Sequence, residues 1–121
     1  MARYSCVTQL VGSAEQLSES IRAVLERCQL NVLHSSPDYW VAGEPPGKNP
    51  YTKLVTVEVF VDRTLQAADG SVQVTCIAKN EELPLRSVNH CQQTFDRLKA
   101  ELAQLQSQLQ LAAQQKDAYD S

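Results

Sequence analysis

Along this chain, apolar and polar residues alternate with a period of two, then of three to four, then of two again. The changes of period divide it into elements. From residue 3 to residue 11 the alternation puts Tyr4, Cys6, Thr8 and Leu10 on one side and Arg3, Ser5, Val7 and Gln9 on the other, which predicts a half-buried strand. Gly12 breaks the pattern, and Ser13 with Gln16 makes a capping box, each side chain satisfying a free N–H at a helix start. Leu17, Ile21, Val24, Leu25 and Cys28 then recur at three-and-four spacing while Glu15, Glu19, Arg22 and Glu26 stay wet, so this helix should lie flat on a sheet.

The stretches "LNVLHS" and "DYWVAGE" predict a hairpin turned at Ser35-Ser36-Pro37-Asp38, where proline presets a turn dihedral and Ser and Asp bond local backbone. The loop "EPPGKNPYT" leads to "KLVTVEVFVD", whose β-branched residues at alternate positions mark the strongest strand and a central one. "RTLQAADG" turns the chain at Asp69-Gly70, and "SVQVTCIAK" is the last strand. A helix then runs from Ser87, its expected cap, to near Gln115. Its apolar positions, Val88, Cys91, Phe95, Leu98, Leu102, Leu105, Leu109 and Ala112, step by three and four without a miss, which is the heptad spacing of a coiled-coil seam.

The order β-α-β-β-β-β-α predicts an α+β fold: one open-faced antiparallel sheet, both helices on one face, and a long C-terminal helix with a heptad pattern. That helix, of about 28 residues, should be about 42 Å long. Five strands about 4.8 Å apart span only about 20 to 25 Å. On this comparison residues 1–100 form a single domain, and 101–121 form the overhanging end of the helix with a short disordered tail. An overhanging seam of Leu102, Leu105 and Leu109 wants a partner, either a second copy or another protein.

The strand phases also put Val7, Leu33, Trp40, Leu54, Phe60 and Ile77 on the side away from the helices, around a mid-strand Glu58. Apolar side chains gathered on an unlidded face suggest a covered patch, with Trp40 and Phe60 as aromatic anchors. The plainer alternative is that strand twist and the proline loop hide most of it. The candidate interaction residues are therefore Trp40, Leu54, Phe60, Ile77, Leu102, Leu105 and Leu109.

Composition narrows the function classes. At 121 residues, 43% hydrophobic and 21% charged, the chain suits one globular domain. A formal net charge of −3 without a basic cluster argues against nucleic acid. No apolar run nears the roughly 20 residues that span a bilayer, and the N-terminal residues lack a secretory layout. Cys6, Cys28, Cys76 and Cys91 are widely spaced within regular elements, which predicts reduced core thiols in a cytoplasmic protein.

Catalytic chemistry finds little support. His90 and Cys91 are adjacent on a helix and diverge by about 100°, so they form no dyad. His34, the other histidine, lies on a distant strand, so neither a metal nor a cofactor is expected. Glu81 and Glu82 point to opposite sides of an extended segment and charge the approach to the helix. Gly47 lacks companions for a phosphate cradle.

The stretches "RYSC", "KLVTVEV", "KNEELPL" and "NHC", in this order across residues 3–98, resemble a small family of soluble cyanobacterial proteins. That resemblance implies a cyanobacterial cytoplasm and brings no catalytic assignment. The element order is also similar to the ribosome-hibernation layout, from which the acidic charge departs, and to a helix-grip layout with too few strands for a lipid cavity. The expectation is a non-enzymatic interaction or assembly module, with a protein partner or homo-oligomer, using the helix seam, the open sheet face, or both. The alternative is a small hydrophobic-ligand carrier using the open face.

Overall fold

The computed structural model describes residues 1–47, 50, 53–64, 70–81 and 89–120, with side chains through 115. The elements are β1 (Ala2–Leu10), α1 (Ala14–Arg27), β2 (Asn31–Ser36), β3 (Tyr39–Gly43), β4 (Thr56–Asp62), β5 (Val72–Asn80) and α2 (His90–Asp120). They form one five-stranded antiparallel sheet in the order β1-β5-β4-β3-β2. The element order and the single open sheet are those the sequence pattern predicts, and β4 is the central strand.

Local chemistry fixes the ends of the elements. The Ser13 hydroxyl accepts the Gln16 N–H at 3.1 Å and starts α1. The helix ends in a reversal where Gln29 N–H donates to the Glu26 carbonyl at 2.9 Å and Leu30 N–H to Leu25 at 3.0 Å. Asn89 caps α2 through its side-chain oxygen, which accepts the Gln92 N–H at 2.7 Å. The expected cap Ser87, the first seam residue Val88, Glu82 and Asp69 lie outside the described residues. Gly70 has a φ of +85°, a left-handed conformation that glycine adopts without strain.

Both helices cover the same face of the sheet. α2 packs on β1 and β5 and against α1, and α1 packs on β2. The core between them holds Leu17, Ile21, Val24 and Leu25 of α1 with Val57, Val59, Val74 and Cys76 of the sheet.

The expected overhang of α2 does not begin at residue 101: only from 110 to 115 are the helix residues all exposed, Leu111 among them at 58%. Leu102, Leu105 and Leu109 are 2%, 5% and 7% exposed, buried in the chain's own core together with Cys91, Phe95 and Leu98. The reason is direction. The helix does not cross the strands but runs along β1: Phe95 stacks on Tyr4, Asn89 donates to the Tyr4 hydroxyl at 2.8 Å, and Gln106 donates to the Gln9 carbonyl at 3.0 Å. A nine-residue strand is about 30 Å long. The β1–α1 connection reaches the same stretch of the helix, where Val11, Gly12, Ser13 and Gln16 line one depression with Leu109 and the exposed Ala112. The helix continues to Asp120, so residues 101–109 belong to the same core as residues 1–100.

Candidate functional site

Two surfaces combine chemistry-bearing side chains: the open face of the sheet, and a cleft at one end of the helical layer.

On the open face the ladder sets side chains in rows. One row reads Ser5, Ile77, Glu58, Val41 and His34; the next reads Val7, Thr75, Phe60, Tyr39 and Ser36. Glu58, unexplained by pattern alone, pairs with Lys79 one row away at 3.2 Å. Tyr39 and Phe60 pack at 4.8 Å between ring centroids, and His34 lies 5.8 Å from Tyr39. Val7 and Leu33 are 59% and 69% exposed. Leu33 and Leu54, with Met1 and Lys79, also line a shallow depression of about 300 Å³ at the end of this face.

Among the sequence candidates, Phe60 and Ile77 share this face, and Leu54 stands at its edge. Trp40 does not. It pairs with Val59 in the ladder, faces the helices and is 1% exposed. In "YWVAG" both phases are apolar, and the larger indole takes the covered side because burial gains scale with apolar area. Tyr39 and Val41 therefore face out in its place. Leu102, Leu105 and Leu109 form no exposed seam, as described above.

The cleft, of about 570 Å³, lies between the end of α1 (Cys28, Gln29), the segment after β3 (Glu44 to Gly47) and the first turns of α2 (His90, Gln93, Thr94, Arg97). Glu44 is its fixed point. Its Oε1 accepts the Val55 N–H at 2.8 Å, and His90 Nε2 lies 2.7 and 2.9 Å from its two oxygens. Arg97 donates Nη2–H to the Arg27 carbonyl at 2.8 Å, at the negative end of α1. Arg27 in turn pairs with Glu101 at 3.1 Å. Gln29, at the cleft lip, has a φ of +61°, the helix-terminal position that glycine occupies most readily.

Sequence reasoning singled out His90 without its partner. Glu44 sits 46 residues away, and nothing local to either residue announces the pair; only the folding of α2 over the β3–β4 connection brings them together. Cys91, one residue on, is fully buried, so the two side chains diverge as helical geometry requires.

All four cysteines are free thiols. Cys6 stands opposite Cys76 in the β1–β5 ladder. Burial pushes the Cys76 thiol far above its ordinary range, with Cys6 and Cys28 adding to the effect. Burial also raises Cys6 and Cys28, against the nearby cations Lys99 and Arg97 respectively. Such thiols are poor nucleophiles. Among the described residues no group of three or more His, Cys, Asp or Glu could hold a metal ion, and no helix is long and apolar enough to cross a membrane.

No protein-family model matches the chain, and no curated protein matches it. Among solved structures it is similar to DR_A0006 of Deinococcus radiodurans, at 13% identity over 92% of this chain and 99% of that one, with a TM-score of 0.48. It is also similar to Ara h 8.0201, at 11% identity over 88% and 98% of the two chains, with a TM-score of 0.43.

Proposed function

We propose that this chain is a non-enzymatic, cytoplasmic interaction module that associates through the open face of its sheet, and that the partner is a second copy of itself. The observation that carries this reading is that the face keeps Val7, Leu33 and the Tyr39–Phe60 ring pair outside the core, although the sheet and α1 shelter Leu98, Leu102, Leu105 and Leu109 of α2. Aromatic side chains ringed by polar groups are the usual anchors of protein contacts. The face is also self-complementary in charge. Arg3 stands at one end of the rows beside Lys79, which is paired with Glu58, and Asp62 stands at the other beside Asp38, which is paired with Arg63, so Arg3 and Asp62 mark the unlike ends. A two-fold axis across the strands sets unlike ends against each other. The helix seam takes no part, because its leucines are already occupied.

A second reading, a small hydrophobic-ligand carrier on the same face, is favoured by the depression at Leu33 and Leu54. One experiment separates them. The expected result is a mass that rises with concentration in sedimentation velocity and returns to the monomer value in Phe60→Ser and in Val7→Asp. A mass that stays monomeric up to millimolar concentration sinks the self-association reading.

A further inference from the structure

We propose that the cleft holding the Glu44–His90 pair is a second, separate site, which binds a small amphipathic carboxylate: an apolar ring or chain ending in one carboxylate group. Its volume of about 570 Å³ falls within the roughly 300 to 1,000 Å³ of small-molecule pockets. The walls come from three different elements and are tied together. Glu44 is held by Val55 and His90, which fixes the β3–β4 connection to α2, and Arg97 is held on the end of α1. Such ties keep the site pre-formed, so a ligand pays little ordering cost.

The balance of polar groups sets the charge of the ligand. The carboxylate lining the cleft, Glu44, is engaged by a histidine and a backbone N–H, and the nearby Glu101 is engaged by Arg27. Arg97 is anchored by an uncharged carbonyl, so its positive charge is not neutralised by that contact. The amides of Gln29 and Gln93 and the Thr94 hydroxyl supply further donors around it. A carboxylate matches a guanidinium because the two can make parallel hydrogen bonds, and its single charge suits the single arginine of this cleft. The remaining walls, Pro45, Pro46 and Cys28, are apolar and suit the body of the ligand.

Gln29 adds a second mark. A side chain is kept where the backbone favours glycine, and it lines the cleft. Local strain of this kind gathers at ligand sites.

The test uses 2-naphthoate as the probe, with the uncharged isostere 2-naphthamide as control, followed by amide chemical shifts and calorimetry. The expected result is saturable binding of the naphthoate, with shifts at Gln29, Gln93 and Thr94, and at least tenfold weaker binding of the amide. Arg97→Gln should weaken naphthoate at least tenfold. Since that change also removes the tie to Arg27, Gln93→Trp, which fills the cleft from an exposed position, serves as the second variant and should abolish binding without lowering the melting temperature. Equal affinity for the two probes, no saturation by millimolar probe, or shifts confined to Leu33, Phe60 and their neighbours would overturn the assignment. That last outcome would favour the ligand-carrier reading of the open face, whereas failure of the first two kinds leaves the open-face proposal untouched, because the two sites share no side chain except Glu44, whose carboxylate belongs to the cleft.

Discussion

On the helix side of the sheet the central strand β4 presents Val57, Val59 and Val61, all buried; on the other side the same seven residues present Thr56, Glu58, Phe60 and Asp62, none of them buried. Neighbouring strands repeat the contrast. Cys76 and Ala78 of β5 are fully buried, whereas Thr75, Ile77 and Lys79 beside them are half-buried. One face is therefore built for stability by close packing. The other carries apolar side chains interleaved with charges that already have partners, as Glu58 and Lys79 do. The difference teaches that hydrophobicity alone does not separate core from contact surface in this chain. Whether an apolar side chain is enclosed by a second layer does.

The sharpest break of this comparison is a truncation after Ala100. It removes three buried leucines, Leu102, Leu105 and Leu109, each worth about 2 kcal/mol of apolar burial. A domain of this size holds only about 5 to 15 kcal/mol in total. The truncated chain should lose its cooperative thermal transition in circular dichroism. Within the full chain, Leu105→Ala should cost about 2 to 4 kcal/mol in urea unfolding, while Phe60→Ala should cost under about 1 kcal/mol. Equal costs at the two positions would erase the distinction between the faces.

These residues also mark what the sequence could and could not disclose. The strand and helix order was legible because most elements carry a clear local signal: β-branched alternation in β4, the Ser13 cap before α1, the unbroken three-and-four steps of α2. The start of the overhang was placed too early because spacing gives a helix its apolar stripe and its length but not its direction on the sheet; a helix laid along β1 finds shelter as far as Leu109 that a helix laid across the strands does not. Trp40 was misplaced because both phases of β3 are apolar, so alternation carries no sign there, and a register shift between Val32 and His34 further scrambles the preceding strand. The cleft was invisible for a third reason. Glu44, His90 and Arg97 come from separate elements, and no local spacing links them.

A smaller effect sharpens the comparison through pH. Cys76 lies on the covered face, and burial raises its thiol pKa well above the ordinary 9.0 that it regains on unfolding. A group whose folded pKa is raised contributes stability that is complete below the unfolded value and is lost as pH climbs past it. Unfolding free energy should therefore be independent of this residue up to about pH 8 and fall from about pH 9 upward. Cys76→Ala should flatten that alkaline decline, as followed by urea midpoints between pH 7 and pH 10. Iodoacetamide should likewise modify Cys76 slowly in the native protein and rapidly in urea.

The smallest expected effect concerns a place where the helix side gives up stability. Gln29 closes α1 in the left-handed region, at a φ of +61°, where a side chain costs about 1 kcal/mol more than glycine. The two hydrogen bonds of this helix ending come from backbone N–H groups, so they survive removal of the side chain. Gln29→Gly should raise stability by about 0.5 to 1 kcal/mol, or roughly 3 °C in melting temperature. The same change removes a donor from the cleft and should weaken 2-naphthoate about threefold. A variant both stabler and weaker in binding is the pattern of a residue kept for the cleft. Stabilisation without any change in binding would make the left-handed glutamine a tolerated irregularity and reduce the cleft to its Arg97 edge.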